Sequence, residues 1–319
     1  MMDYGHVPVL AGELLELLQP RSGQLVLDCT VGRGGHASLI LPHLAPCGRY
    51  VGIDADPANV EFVRERFSNA PVQVEWVHAN FFKASTVMQQ LGVKVADIVL
   101  ADLGFASTQM ADPARGMSFA EEGPLDMRLD PTQQNTAANL VNELSQDELA
   151  DLIYRYGQDR FSRMIARKIV EQRSKSPIKT TTVLAGLVRQ VYGQVAAGRR
   201  FAAGRQKRRR RSGRRIDPAT RTFMALRIAV NGELDALAQL LQQLPDLVAT
   251  GGIAAMIGFH SLEDRLIKRR FADLARKDLG EVLTRKPITA GQAERAVNPR
   301  SRSAKLRAIQ IVAPGTNTT

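Results

Sequence analysis

The sequence predicts an α/β protein in which a doubly wound, mostly parallel sheet carries an inserted helical domain. Short apolar runs that end in acidic or polar residues alternate with helical patterns at both ends of the chain, as is typical of parallel strands buried on both faces. In the middle, four helical patterns follow one another without a strand. At 319 residues the chain is long enough for two domains.

We expect the sheet domain to be discontinuous, formed by residues 1–112 and 217–319, with residues 113–216 as the helical insertion. In its second part the sequence predicts one long helix from residue 217 towards 241 and, from the alternation at 305–312, an edge strand. Four insertion helices are predicted, near 136–142, 146–156, 161–174 and 181–192. Their expected N-caps are Asn135, Ser145 and Thr180, Thr181 or Thr182. The insertion ends in residues 193–215, which are rich in Arg, Gly and Ala. Such a composition cannot bury a core, so we predict a mobile segment.

The most informative stretch, residues 24–56, is predicted to fold as strand, glycine turn, helix and strand. The first strand ends in Asp28, the turn contains Gly32, Gly34 and Gly35, and the second strand ends in Asp54. A turn without side chains lets the backbone approach a ligand closely, and an acid at the end of the next strand can bind the two hydroxyls of a ribose. This pattern indicates a Rossmann-like site for a nucleotide-containing cofactor.

Two cofactor classes fit this turn. Its G-x-G-x-x-A form also matches the fingerprint of nicotinamide dinucleotides. Asp28 favours the other class, because a pyrophosphate would be repelled by a carboxylate, whereas S-adenosylmethionine carries a sulfonium and an ammonium. The sequence therefore favours a methyltransferase. The alternative role for Asp28 is simply to cap a turn.

Three further residues are predicted at the carboxyl ends of strands, where doubly wound sheets bind ligands. Asp102 ends the strand over 95–103 and should face the cofactor. Phe81 follows the third strand and is either the wall of an adenine pocket or part of the core. His260 follows the strand over 252–259 and is either catalytic or structural.

The net charge of +11 is local. The run that begins with Arg199 and ends with Arg215 contains ten Arg or Lys and no acid, and without it the net charge would be +1. We expect this run to contact RNA phosphates, the alternative being a role in solubility. Tyr154, Tyr156 and Phe161 could stack on RNA, although aromatic residues at helical spacing are more often core.

The cysteines, the length of the apolar runs and the first residues of the sequence bear on the cellular location. Two cysteines, Cys29 and Cys47, predict no disulfide framework and favour a reducing compartment. No run approaches the length of a membrane span, and the first ten residues lack the pattern of a secretory leader, so the expected location is the cytoplasm. The sequence shows no cluster of metal ligands.

Several motifs together resemble one family, the bacterial ribosomal RNA small subunit methyltransferase H proteins, also called MraW. They are the glycine turn with His36, Asp102-Leu103-Gly104, GPLDMRLDP at 123–131, DPATRTF at 217–223, FHSLEDR at 259–265 and NPRSRSAKLR at 298–307. The resemblance implies methylation by S-adenosylmethionine of the exocyclic N4 of one cytidine in the decoding region of 16S ribosomal RNA, in the small ribosomal subunit. It implies cofactor contacts at Gly34, Gly35, His36, Asp54, Phe81, Asp102 and Gln109.

The chain departs from the family pattern in three motifs. Where the family usually has DLGVSSPQ, this chain continues after Gly104 with Phe105-Ala106-Ser107-Thr108; Asp217 and Met224 replace a usual histidine and glutamine, and Gly258 a usual serine. We expect these changes to affect how the substrate is held, not the cofactor positions.

Methyl transfer to nitrogen is an in-line displacement, and cytosine N4 is a poor nucleophile, so an acceptor oxygen should assist it. Asp102 is the candidate, although it could instead hold the cofactor, and base catalysis by His260 is the weaker alternative. Two rival functions stay open from the sequence: a nicotinamide-dependent dehydrogenase, and a ribosome-binding factor without catalysis.

Overall fold

The computed structural model describes residues 8–202 and 217–313. Two compact units divide the chain: a sheet unit, residues 1–106 and 234–319, and a helical unit, residues 107–233. The sheet unit begins with α1 (Ala11–Leu18), β1 (Leu25–Asp28), α2 (Gly35–Leu44), β2 (Arg49–Asp54), α3 (Pro57–Arg66), β3 (Gln73–His78), α4 (Ala84–Gln90) and β4 (Ala96–Asp102). The helical unit contains α5 (Ser107–Ala111), α6 (Ala137–Glu143), α7 (Gln146–Gly157), α8 (Ser162–Arg173), α9 (Thr181–Ala202) and α10 (Ala219–Asn231). The sheet unit resumes with α11 (Glu233–Leu247), β5 (Val248–Gly258), α12 (Ser261–Arg276), β6 (Gly280–Val282), α13 (Gln292–Val297) and β7 (Lys305–Ile311).

The seven strands form one sheet in the order β3-β2-β1-β4-β5-β7-β6. β1 to β5 are parallel to one another, whereas β7 runs antiparallel to both β5 and β6. The predicted doubly wound α/β fold is therefore confirmed. The prediction that 305–312 is an edge strand was wrong, because β7 is hydrogen-bonded on both sides and β6, only three residues long, forms the edge.

Apolar layers cover both faces of the sheet. On one face Leu27 and Val51 pack with residues of α4, α11 and α12. On the other, Val26 and Tyr50 pack with residues of α1 and α2. This two-sided burial explains why the strands are continuous apolar runs in the sequence.

The helical unit has its own apolar core, built largely from α6 to α10. Ser145 caps α7 as predicted, in a reciprocal capping box with Glu148. The predicted cap of α6 was one residue off, because Thr136, not Asn135, accepts the hydrogen bond of the helix start. α9 continues to Ala202, so the prediction that this helix ends near residue 192 was wrong. Residues 203–216, most of the Arg-rich run, lie outside the described residues.

The boundary after the insertion also differs from the predicted one. A single helix was expected to run from residue 217 towards 241, but α10 ends before Gly232, whose positive φ of 59° breaks it, and α11 begins at Glu233. Phe223 and Leu226 of α10 pack into the helical core. For that reason the helical unit extends to residue 233, and it begins at residue 107 instead of 113.

Among the described residues, no helix is long and apolar enough to cross a membrane.

Candidate active site

The glycine turn between β1 and α2 is held in a conformation that suits glycine. Gly32 and Gly34 have φ angles of 53° and 73°, in the left-handed region that residues with a Cβ rarely adopt. A Cβ added at Gly34 would also collide with the ring of Phe67, which packs against the turn. Backbone conformation and the packing of Phe67 both require glycine at position 34.

Asp54, at the end of β2, ties this turn to the sheet. Its Oδ2 accepts a hydrogen bond from the Gly32 amide at 2.8 Å, and its Oδ1 accepts from the Asp56 amide at 2.8 Å and from Asn59 Nδ2 at 3.2 Å. Burial raises the pKa of Asp54 above its ordinary value, against these hydrogen bonds. A carboxylate accepts about four hydrogen bonds, so these three leave Oδ2 able to take one more.

Asp28, at the end of β1, is almost completely buried, with 2% of its surface exposed. Its Oδ1 accepts from the Thr30 amide at 3.0 Å and its Oδ2 from the Tyr50 hydroxyl at 2.6 Å. Burial raises the pKa of Asp28 to about 6, although both hydrogen bonds oppose the shift. The bond to Thr30 shows that the turn-capping role, the alternative left open by the sequence, is realised.

His36 and Asp102 form the centre of the site. His36 is the second residue of α2 and 7% exposed, and its Nε2 lies 3.5 Å from Asp102 Oδ2. Both ring nitrogens of His36 and Asp102 Oδ1 are buried without a hydrogen-bond partner among the described residues. A buried polar atom without a partner typically costs about 1–3 kcal/mol, so such a group is a strong indication of a ligand site.

The side chains of Asp28, His36 and Asp102 interact electrostatically. The charge of His36 lowers the pKa of Asp28 and that of Asp102 raises it, both effects being smaller than that of burial. Asp102 is anchored through its backbone, since its amide donates to Thr30 Oγ1 at 2.6 Å. We call Asp28, His36 and Asp102 the buried charge cluster; with two carboxylates and one imidazole it favours a cationic ligand.

For two of the expected cofactor residues, Phe81 and Gln109, the position alone does not decide between a role in cofactor binding and a role in packing. Phe81 begins a short 3-10 turn after β3 and packs, partly buried, against the sheet core, which is compatible with both roles considered for it. Gln109 is buried in α5 of the helical unit.

His260 has a clear structural role. It is the N-cap of α12: its Nδ1 accepts from the Glu263 amide at 3.4 Å, while Glu263 Oε2 accepts from the His260 amide at 3.1 Å and from the Phe259 amide at 2.7 Å. His260 Nε2 also lies 3.3 Å from Glu263 Oε1. Both nitrogens therefore face Glu263, and the structural alternative is the one that the geometry favours.

Sequence reasoning missed the supports of the cluster, Tyr50 and Thr30. A tyrosine within an otherwise aliphatic strand was the available signal, because a buried phenol needs a hydrogen-bond partner. The partner itself could not be identified, since it lies on the neighbouring strand.

Sheet order and site together define a class of protein. The usual dinucleotide-binding sheet orders its strands 3-2-1-4-5-6, whereas here the antiparallel β7 lies between β5 and β6. The fold is that of a Rossmann-like S-adenosylmethionine-dependent methyltransferase, with an acidic cluster beside its glycine turn. The MraW methylase family matches residues 3–312, and the chain belongs to that family. The resemblance inferred from the motifs is confirmed.

Curated relatives are similar in sequence to this chain over nearly its whole length. The ribosomal RNA small subunit methyltransferase H of Sorangium cellulosum is 45% identical over 307 residues, covering 96% of this chain and 91% of the relative. The protein of the same name from Synechococcus elongatus is 45% identical over 312 residues, covering 98% and 96%. That from Heliobacterium mobile is 40% identical over 327 aligned positions, covering 98% of this chain and all of the relative.

Proposed function

We propose that this chain transfers a methyl group from S-adenosylmethionine to the exocyclic N4 of one cytidine in the decoding region of 16S ribosomal RNA. Support comes from the names of its relatives as small-subunit ribosomal RNA methyltransferases. The observation that carries the chemistry is the buried charge cluster, whose atoms without a partner among the described residues belong to Asp102, at the carboxyl end of β4, and to His36, in the first turn of α2. A substrate in the small ribosomal subunit places the enzyme in the cytoplasm.

The residues proposed to hold the cofactor are Gly34, Gly35, His36, Asp54, Phe81, Asp102 and Gln109. The structure fits such a ligand at two points. Asp54 Oδ2 keeps one acceptor position for a hydroxyl, and the carboxylates of Asp28 and Asp102 favour a cation. When bound, S-adenosylmethionine supplies an electrophilic methyl group on a sulfonium.

Asp102 is the proposed catalytic residue. The lone pair of cytosine N4 is delocalised into the ring, so an oxygen that accepts a hydrogen bond from the amino group increases its nucleophilicity. Asp102 Oδ1 is buried without a partner among the described residues and is available for that bond. N4 would gain positive charge on methylation, and Asp102 Oδ1 would be suited to take the proton that N4 then loses.

His260 is the weaker candidate for a base. Its Nδ1 already accepts the hydrogen bond that starts α12, and its Nε2 faces Glu263. A role in proton transfer would compete with this cap. The Arg-rich run at 199–215 remains our proposed contact for RNA phosphates, and its expected signature is a loss of affinity with rising salt.

The decisive experiment measures incorporation of tritium from methyl-labelled S-adenosylmethionine. Small-subunit particles, naked 16S RNA and particles in which the target cytidine is replaced by uridine are compared, and the product nucleoside is identified by mass spectrometry. We expect N4-methylcytidine only with the unmodified particle. A protein that bound the particle without incorporation would instead be a non-catalytic ribosome-binding factor, and calorimetric binding of a nicotinamide dinucleotide in place of S-adenosylmethionine would favour a dehydrogenase.

A further inference from the structure

The corner between α7 and α8 exposes an aromatic ring to solvent. Tyr154, in the last turn of α7, is 64% exposed. A single exposed apolar residue is ordinary and needs no explanation. This one is distinguished by its neighbours, because the segment 154–163, YRYGQDRFSR, contains three arginines and one acid.

Four arginines and one acid, Asp159, give the corner a net positive charge. Arg155, Arg160 and Arg163 are exposed on α7, the connection and α8, and Arg221 of α10 reaches the same corner, where its Nη1 donates to the Gln158 carbonyl at 3.4 Å. Within residues 8–202 and 217–313, none of the four has a carboxylate at ion-pair distance. By contrast Arg167, one turn further along α8, lies 3.6 Å from Glu171.

The one acid of the segment is not exposed at the surface. Asp159 is fully buried, and its oxygens accept from the Phe161 amide at 2.9 Å and from the Tyr192 hydroxyl at 2.7 Å. Burial, and then the bond to Asp159, raise the pKa of Tyr192 to about 12, so this hydroxyl stays a donor at neutral pH. The acids of α7 that are exposed, Asp147, Glu148 and Asp151, lie in its first half, where the helix dipole favours them.

The other rings of the corner are already engaged. Phe161 packs edge-on against Tyr192, with centroids 5.1 Å apart, and the Arg160 guanidinium lies 4.7 Å from the Phe161 centroid. Arg155 lies 5.2 Å from the centroid of Tyr156, which is half-buried. The expectation that these aromatics are core holds for Phe161 and was wrong for Tyr154, whose ring is left to solvent.

We propose that this corner, defined by Tyr154, Arg155, Arg160, Arg163 and Arg221, is a docking surface for single-stranded RNA of the substrate. A base stacks on the Tyr154 ring, and the arginines contact the phosphates on either side of it. Exposed aromatic rings among cations bind unpaired nucleotides in this way because every base offers a π-face, whatever its sequence. The inference rests on the proposed function for the identity of the RNA.

The test measures binding of the full chain to a fluorescently labelled single-stranded RNA from the decoding region, by anisotropy at several salt concentrations. Tyr154→Ala is expected to weaken RNA binding about 5-fold or more. Tyr154→Phe should keep the wild-type affinity, because stacking needs the ring and not the hydroxyl. The double variant Arg160→Gln/Arg163→Gln should reduce the slope of log affinity against log salt by about 1 to 2.

Matched controls separate docking from folding. Arg167→Gln removes a cation of α8 that is already paired and should leave the slope unchanged within error. None of the docking residues is among those proposed to hold the cofactor, so calorimetric affinity for S-adenosylmethionine and the melting temperature should match those of the wild type. Wild-type RNA affinity and salt slope in both the alanine and the double variant would overturn the docking surface.

Failure of the proposed function gives a different result. If the wild-type chain binds the RNA and the variants weaken it, but no methyl group is transferred to any particle, the docking surface stands and the activity does not. If methylation proceeds and the KM for particles is the same in wild type, Tyr154→Ala and the double variant, the activity stands and the docking surface is refuted.

Discussion

Several buried polar groups of the helical unit are paired within the protein, whereas those at the centre of the candidate site have atoms without a partner among the described residues. In the helical unit, buried Thr181 donates to the Glu121 carbonyl at 3.0 Å, and buried Asn231 both donates to the Met127 carbonyl at 2.8 Å and accepts from the Leu129 amide at 2.7 Å. These side chains fix loops to helices. In the sheet unit, within residues 8–202 and 217–313, His36 and Asp102 of the buried charge cluster have side-chain atoms without a hydrogen-bond partner.

This difference distinguishes buried polar groups that stabilise the fold from buried polar groups that are available to a ligand. A fully bonded buried group adds stability and specifies one arrangement, whereas an unpaired one costs stability unless a ligand satisfies it. In the buried charge cluster, the groups with atoms that lack a partner among the described residues lie at the end of β4 and in the first turn of α2. We expect changes in the helical core to lower stability and changes in the buried charge cluster to alter chemistry or pH dependence.

The largest effect is expected for Leu149→Ala in the helical core. Leu149 is fully buried on α7, so the change removes buried surface and leaves a cavity, at a cost of about 2–5 kcal/mol in the free energy of unfolding. Urea unfolding followed by circular dichroism measures it. Leu149→Met, which nearly conserves volume, should cost less than about 1.5 kcal/mol. A cost below 1 kcal/mol for the alanine variant would show that this unit lacks a tightly packed core.

Asp28→Asn should change how stability depends on pH. Because folding raises the pKa of Asp28 from 3.8 to about 6, the folded state binds the proton more tightly. The favourable contribution is complete below about pH 4 and is lost as the pH rises to about 6, a change of about 3 kcal/mol. The asparagine variant cannot ionise, so its unfolding free energy should lack this decline and exceed that of the wild type at pH 7.

Tyr50→Phe provides the opposite perturbation. It removes the hydroxyl that donates to Asp28 Oδ2 at 2.6 Å and that lowers the pKa of this carboxyl. The decline in stability should therefore extend to higher pH than in the wild type. Identical pH profiles for wild type, Asp28→Asn and Tyr50→Phe between pH 4 and 8 would mean that Asp28 has an ordinary pKa in the folded protein.

Asp102→Ala should reduce methyl transfer with little effect on stability. The rate at saturating S-adenosylmethionine is expected to fall at least tenfold, equivalent to about 1.4 kcal/mol in the activation barrier. The melting temperature should not fall, because the variant removes a buried acid whose Oδ1 has no partner among the described residues. Single-turnover methylation of small-subunit particles measures the rate.

The matched control for that variant is His260→Asn. Asparagine is a favoured N-cap, so it can keep α12 capped while removing the imidazole. We expect near wild-type rates. If instead this variant lost activity tenfold and Asp102→Ala turned over normally, the roles assigned to the two residues would have to be exchanged.

What the sequence predicted well was local. The run from β1 to β2, the glycine turn and the capping residue Ser145 follow from patterns within a few residues of one another. The failures involve partners that are distant in the chain. β7 was assigned to an edge because its pairing with the three-residue β6 leaves no sequence pattern, and Tyr50 could not be matched with Asp28 across two strands.

The smallest expected effect is that of Ser145→Ala at the start of α7. The Ser145 hydroxyl accepts from the Glu148 amide at 3.3 Å, and Glu148 Oε2 accepts from the Ser145 amide at 2.8 Å. Loss of the cap should cost about 1 kcal/mol in the free energy of unfolding, with methyl transfer unchanged. Ser145→Asp retains an acceptor and should recover most of the loss. A fall in activity larger than the fall in stability would show that this helix start contributes to chemistry, against the separation of roles between the two units.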